Sequence, residues 1–161
     1  MEFDYGIGSF NEQPMRFTFF HDGRMRTYTP DFQVTFCDPL RIEIHEVKKL
    51  EYLKGPDVAA RLAAAKLCIE SQGYIFKTVT EVEIRRQPRL RNIGLALRYR
   101  DWDEAERPDL DQRLPVVDTA ITLQALTTPH RWQSALPYLI DGRLLADLDH
   151  PLSAETKVWR P

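Results

Sequence analysis

Three charged residues stand where two apolar runs meet: Asp31 in "YTPDFQVTF", and Glu46 and Lys48 in "RIEIHEVKKL". A buried charge is costly unless it is paired or holds a metal, so carboxylates inside strand-forming runs mark a site to test. If the turn between the runs is Cys37 to Leu40, Phe36 pairs with Arg41 and Asp31 falls opposite Glu46. Opposed residues of an antiparallel pair share a face, with Cβ atoms about 5 Å apart. Lys48, two residues past Glu46, joins that face. Two carboxylates this close repel, and one tends to stay protonated unless a divalent cation lies between them. Mg²⁺ suits such a pair, with Mn²⁺ as substitute, because it prefers oxygen ligands and keeps several waters. A neighbouring ammonium can orient or deprotonate an attacking water and offset charge growing on a phosphate. The plain alternative is an ion pair of Lys48 with one carboxylate at the surface, worth ~1 kcal/mol or less.

The elements that must hold these residues follow from pattern. "MRFTFF" and "RMRTYTPDFQVTF" read as two strands joined at "HDG", because Asp-Gly is a strong hairpin signal. "RIEIHEVKKL" is a third strand. The segment "GPDVAARLAAAKLCIESQG" reads as a helix, with Pro56 at its start, Asp57 in its first turn and Gly73 as stop. Val58, Leu62, Ala65 and Ile69 form its buried stripe. "YIFKTVTEVEI" comes next as a fourth strand, so the order is strand, strand, strand, helix, strand. The proposed register has one tension: Phe32, Val34 and Phe36 face away from Ile42 and Ile44. Either both faces are covered, or a bulge shifts the pairing by one residue and parts Asp31 from Glu46. Pro30 lacks an amide donor and is the natural place for a break.

At 161 residues, with 43% hydrophobic content, the chain holds one good-sized core or one core plus a small unit. Its net charge of −2 argues against a general nucleic-acid glue. Cys37 and Cys68 have no metal-type spacing, and no run is long enough to span a bilayer. A reduced, cytoplasmic protein is expected. No histidine pair has metal spacing, and His45, on the strand face opposite the carboxylates, reads as structural or solvated. "GIG" at residues 6–8 is too short a signal for a phosphate loop.

Between Ile84 and Arg100, "IRRQPRLRNIGLALRYR" carries six arginines and no acid, and "DWDEAERPDLD" after it is strongly acidic. That swing predicts a boundary near residue 105, with a first domain over 1–105 and a smaller one over 106–161. The second domain is expected to hold short helices around "VVDTAITLQAL" and "HRWQSALPYLIDG". Strands "RLLADLD" and "ETKVW" would complete a winged-helix-like unit with Trp132 and Trp159 in its core. Arg85, Arg86, Arg89 and Arg91, with Arg98 and Arg100, suit a DNA backbone; pairing with the acidic run or docking of a protein would use them equally well.

"PDF" and then "EVK" across a hairpin, with a helix and a strand after them, resembles the PD-(D/E)XK nuclease core. The ordered phrases "FNEQP", "RTYTPDFQVTF", "HEVKKL", "SQGYIF", "TEVEIR", "RLRNIGLALRY" and "YLIDGRLLADLDHPLSAETKVW" resemble the TnsA-type endonuclease subunits of heteromeric transposases. The resemblance implies an α/β restriction-endonuclease-like mixed sheet with a flanking helix. It implies a Mg²⁺-dependent nuclease that cuts, at transposon ends, the strand a partner recombinase leaves uncut. It also implies an ATPase regulator as second partner, docked by the carboxy-terminal domain. The family's metal ligands fall on Asp31, Glu46 and the Val47 carbonyl, its lysine on Lys48, and its "QP" glutamine on Gln13, which would orient a phosphate or water. The family also carries a glutamate on a helix before the first strand. "MEFDYGIGSFNEQP" matches the segment after that helix, so the helix is expected upstream of Met1, with Glu2 or Glu12 as stand-ins otherwise. Two other readings remain: an impaired DNA-binding or assembly subunit, and a stand-alone restriction-like nuclease.

Overall fold

A computed structural model describes residues 6–37, 39–101, 108–114 and 119–161. By internal contacts the chain forms two compact units, Gly6–Ile84 and Arg85–Pro161 among the described residues. The division falls some twenty residues before the expected one, because the helix bearing the arginines packs into the second core.

The first unit begins with β1 (Ile7–Glu12), β2 (Phe17–His21), β3 (Arg24–Tyr28), β4 (Phe32–Cys37) and β5 (Leu40–Val47). It continues with α1 (Leu50–Leu53), α2 (Pro56–Ser71), β6 (Ile75–Val79) and α3 (Glu81–Ile84). A four-stranded mixed sheet has the order β1-β4-β5-β6, and β2 and β3 form a separate two-stranded ribbon. β5 is antiparallel to β4 and parallel to β6, with α2 as the crossover helix. This mixed sheet with its helix fits the restriction-endonuclease-like expectation. In the ribbon, His21 pairs with Arg24 around Asp22 and Gly23, whose φ angles of 53° and 72° are those of a type I′ turn.

Two elements differ from the expectation. The single strand expected over residues 24–36 is broken at Thr29–Asp31, where Pro30 cannot donate to a ladder. β3 therefore pairs only with β2, and β4 leaves to join the main sheet. β1 was not foreseen: "IGSFNE" is polar and almost wholly exposed, as befits an edge strand with no apolar alternation. Its pairing with β4 shifts between Ile7 and Ser9, and a β-carbon at Gly8 would run into the Cys37 sulfur. The glycine of "GIG" thus serves a close approach at a bulge, not a phosphate.

The core of this unit joins Phe17, Phe19 and Tyr28 of the ribbon, Ile44 and Phe76 of the sheet, and Leu62, Ala65 and Ile69 of α2. Val58, the fourth member of the helical stripe, packs at its edge. Burying a side chain such as Ile69 contributes about 2–3 kcal/mol, and Ile69→Ala is expected to cost about 2–5 kcal/mol because the neighbours cannot collapse into the gap.

The second unit contains α4 (Arg89–Leu97), α5 (Pro108–Arg113), β7 (Ile121–Thr122) and α6 (Leu123–Thr127). A 3₁₀ turn (Trp132–Ala135), α7 (Leu136–Ile140), β8 (Leu145–Ala146) and β9 (Lys157–Trp159) complete it. The three strands pair antiparallel in the order β7-β9-β8. Both expected strands are present, and the start of the expected helix "VVDTAITLQAL" is instead β7 where the structure describes it. Pro137 coincides with the change from the 3₁₀ turn to a five-residue α7. Leucines dominate the core, with Leu110, Leu123, Leu136, Leu139, Leu144 and Leu148 all buried. Trp132 packs against it, but Trp159 is 38% exposed and does not fill it. Asn92 of α4 is buried and fully used: its Nδ2 donates to the carbonyls of Leu148 (2.8 Å) and His150 (2.7 Å), and its Oδ1 accepts from the Leu152 amide (3.2 Å). A buried amide satisfied three times is a structural clamp.

Candidate active site

The β4–β5 register is the expected one. Phe36 pairs with Arg41, Cys37 with Leu40, and the ladder runs without slip to Phe32 and His45. One step further lie Asp31 and Glu46. Both faces of this hairpin carry buried side chains: Ile44 and Glu46 on one, Val34, Phe36, Glu43 and His45 on the other. Covering of both faces, rather than a bulge, resolves the tension in the apolar pattern.

Asp31 is held where the chain leaves the ladder. Its carbonyl accepts from the Gln13 amide (2.9 Å), and its Oδ2 accepts from the Val47 amide (2.7 Å). The carboxylate takes over a donor that the backbone no longer reaches after Pro30. Gln13 therefore adjoins Asp31 through its backbone, at a φ of 44°, while its residue as a whole is exposed. On the other side, the Lys48 amide donates to the Val79 carbonyl (3.0 Å), extending the parallel ladder past β5. Lys48 Nζ then lies 2.6 Å from Glu46 Oε1. Asp31, Glu46, Val47 and Lys48 are thus brought together at one end of β5.

Glu46 is only 3% exposed, and its second oxygen, Oε2, is buried without a hydrogen-bond partner. The hydroxyl of Tyr28 beside it is likewise buried and completes no hydrogen bond of good geometry. Burial pushes the Tyr28 phenol strongly upward, and the adjacent Glu46 carboxylate and the charge of Asp31 push it the same way, against a smaller pull from Arg61. Tyr28 is therefore protonated at any ordinary pH and acts only as a donor or neutral neighbour. Spacing and motif did not single out Tyr28, although it lies in "RTYTPDF"; an aromatic with a polar tip three residues before a carboxylate was the available signal.

A divalent metal fits this donor set. Glu46 Oε2 is an orphaned buried oxygen, Asp31 is anchored through Oδ2 alone, and all the donors are hard oxygens. Among the described residues no group of three or more His, Cys, Asp or Glu side chains converges on a metal-sized site. Glu12 pairs with Phe32, which puts it on the face opposite Asp31. Glu2 lies outside the described residues.

The opposite face of β5 holds a closed network. Arg41 Nε donates to Glu43 Oε1 (2.8 Å), His45 Nε2 bonds Glu43 Oε2 (2.7 Å), and the Arg41 guanidinium stacks 3.6 Å from the Phe36 ring centroid. Burial alone would raise the Glu43 carboxyl, but the hydrogen bonds from Arg41 and His45 outweigh it and hold it below the usual range. His45 is the structural histidine expected.

The arginines of residues 85–100 belong to the second unit. Arg86 and Arg89 both face Asp149, the latter at 3.8 Å, and most of the acidic run that follows them in sequence lies outside the described residues. Arg85 and Arg91 are exposed.

The mixed sheet thus brings a carboxylate and a lysine to the end of β5, beside an aspartate just ahead of β4. Residues 6–81 match the family described as TnsA-like endonuclease N terminal. No curated protein matches the chain significantly. No helix among the described residues is long and apolar enough to cross a membrane.

Proposed function

We propose that the chain is a Mg²⁺-dependent endodeoxyribonuclease subunit of a transposase, hydrolysing a phosphodiester at transposon ends. The observation that carries this reading is Glu46: a carboxylate withdrawn from water, salt-bridged on one oxygen by Lys48, orphaned on the other, and opposite Asp31 one step beyond the Phe32–His45 pair. An orphaned buried oxygen costs about 1–3 kcal/mol or more, which is reasonable at a site that receives a ligand. Asp31, Glu46 and the Val47 carbonyl would hold the metal, which when bound supplies charge stabilisation to the phosphate and acidifies water. Lys48, tied to Glu46, orients the attacking water and offsets charge on the phosphate. Gln13, adjoining Asp31 through its backbone, offers an exposed amide to phosphate or water. Exposed Arg85 and Arg91, with Arg86 and Arg89, would contact DNA backbone. The helices and three-stranded antiparallel sheet of Arg85–Pro161 suit a winged-helix-like unit that docks an ATPase regulator, with a recombinase as the other partner.

Calorimetric titration of Mn²⁺ into the chain and into Asp31→Ala tests the site without partners. Binding that disappears in the variant is expected. No binding in either protein would sink the nuclease reading in favour of a non-cutting assembly subunit.

A further inference from the structure

We infer that the cleft between the tip of the β2–β3 ribbon and the first turns of α2 binds the phosphate backbone of the DNA, with Arg26 and Arg61 as its contacts. This inference rests on the nuclease reading, since it extends the substrate's path away from Asp31 and Glu46. The cleft, of about 520 Å³, is lined by His21, Asp22, Arg26, Asp57, Val58 and Arg61, with Ala60. None of these residues takes part in the carboxylate site on β5.

Strand alternation explains why cations gather there. Phe17 pairs with Tyr28, Phe19 with Arg26 and His21 with Arg24, so all six share the ribbon face that meets α2. Near its base that face is aromatic and buried; toward the tip it turns cationic. Arg26 has a donor to spare: its Nε is buried without a partner, and its Nη2 reaches Asp22 only at 3.7 Å, where the aspartate side chain is 79% exposed. An exposed pair at that distance contributes little. A guanidinium held so loosely at its Nη2 end beside an open cleft suits a phosphate, whose oxygens match its fork.

The ribbon connects the cleft to the active site: Arg26 stands two residues from Tyr28 on the same face of β3, and Tyr28 abuts Glu46. Asp22 and Asp57 balance Arg26 and Arg61 in formal charge, with Arg24 the surplus on the same face. The cleft is thus a local contact and not a steering patch, and Asp57 complements the helix dipole in the first turn of α2.

The test is fluorescence anisotropy of the full chain with a short labelled duplex, without divalent metal, over a salt series. The double variant R26Q/R61Q is expected to weaken binding roughly tenfold or more and to lower the slope of log affinity against log salt by about 1.8, two contacts at ~0.9 each. R26K/R61K, which keeps both charges, should retain most of the slope and separates charge from folding. An R26Q/R61Q protein with wild-type circular dichroism and undiminished duplex affinity would overturn the inference. So would binding of inorganic phosphate at the cleft with no effect of the variants on duplex. Mn²⁺ titration of Asp31→Ala is run alongside: if the variant binds Mn²⁺ as the wild type does, or neither binds it, the nuclease reading fails, while a reduced salt slope in R26Q/R61Q still upholds the cleft.

Discussion

Two carboxylates on one strand, three residues apart, meet opposite fates. Glu43 is 8% exposed and Glu46 is 3% exposed, so burial does not separate them. Glu43 has both oxygens occupied, one by Arg41 and one by His45, and its proton affinity is lowered accordingly. Glu46 has one oxygen on Lys48 and the other on nothing, beside a phenol that also lacks a partner. A closed network of this kind specifies structure, whereas a half-satisfied one is kept where something else binds. The comparison teaches that the signature of a site here is incompleteness.

The comparison can be broken at several points. On the proposed nuclease reading, Asp31→Ala or Glu46→Gln should reduce metal-dependent DNA cleavage by about 10²–10⁴-fold or more. Glu46→Gln should leave the urea midpoint unchanged or raised, since it removes a buried charge; a large loss of stability would mean that Glu46 is a structural residue like Glu43. Glu43→Ala should do the reverse, costing about 3–5 kcal/mol of stability by stranding Arg41 and His45 while leaving Mn²⁺ affinity intact in the folded fraction. Lys48→Met should spare much of the metal affinity and lower cleavage; equal loss of both would assign Lys48 to the metal rather than to water.

A smaller effect concerns pH. Because the folded Glu43 carboxyl titrates below the unfolded value of about 4.3, its contribution is fully present above that value and is lost as pH falls through the folded one. Denaturation midpoints measured across the acid range should fall less steeply for Glu43→Gln than for the wild type. The smallest effect is expected of Tyr28→Phe. Its hydroxyl makes no sound hydrogen bond, so thermal melts should move by no more than about 1 kcal/mol equivalent. A larger loss would show that the phenol does hold Glu46.

Much of the site was legible in the sequence. The loop between Cys37 and Leu40 sets the register, and alternation with period two then places Asp31, Glu46 and Lys48 together and His45 apart. The Asp22–Gly23 turn and the α2 stripe were equally local. What failed to show were features that depend on distant chain. β1 has no apolar pattern, because an exposed edge strand needs none. The arginine segment looked like the end of the first domain by charge, yet Ala96 and Asn92 tie α4 to the leucine core and to the carbonyls around residue 150.

The sequence by itself determined which residues share a face, since turn chemistry and strand period are properties of neighbours along the chain. Only the tertiary structure decided that Glu43 is closed and Glu46 open, that Tyr28 adjoins Glu46, and that both faces of β4–β5 are buried. Burial and hydrogen-bond satisfaction are set by what the rest of the chain brings to a face, and no local pattern encodes that.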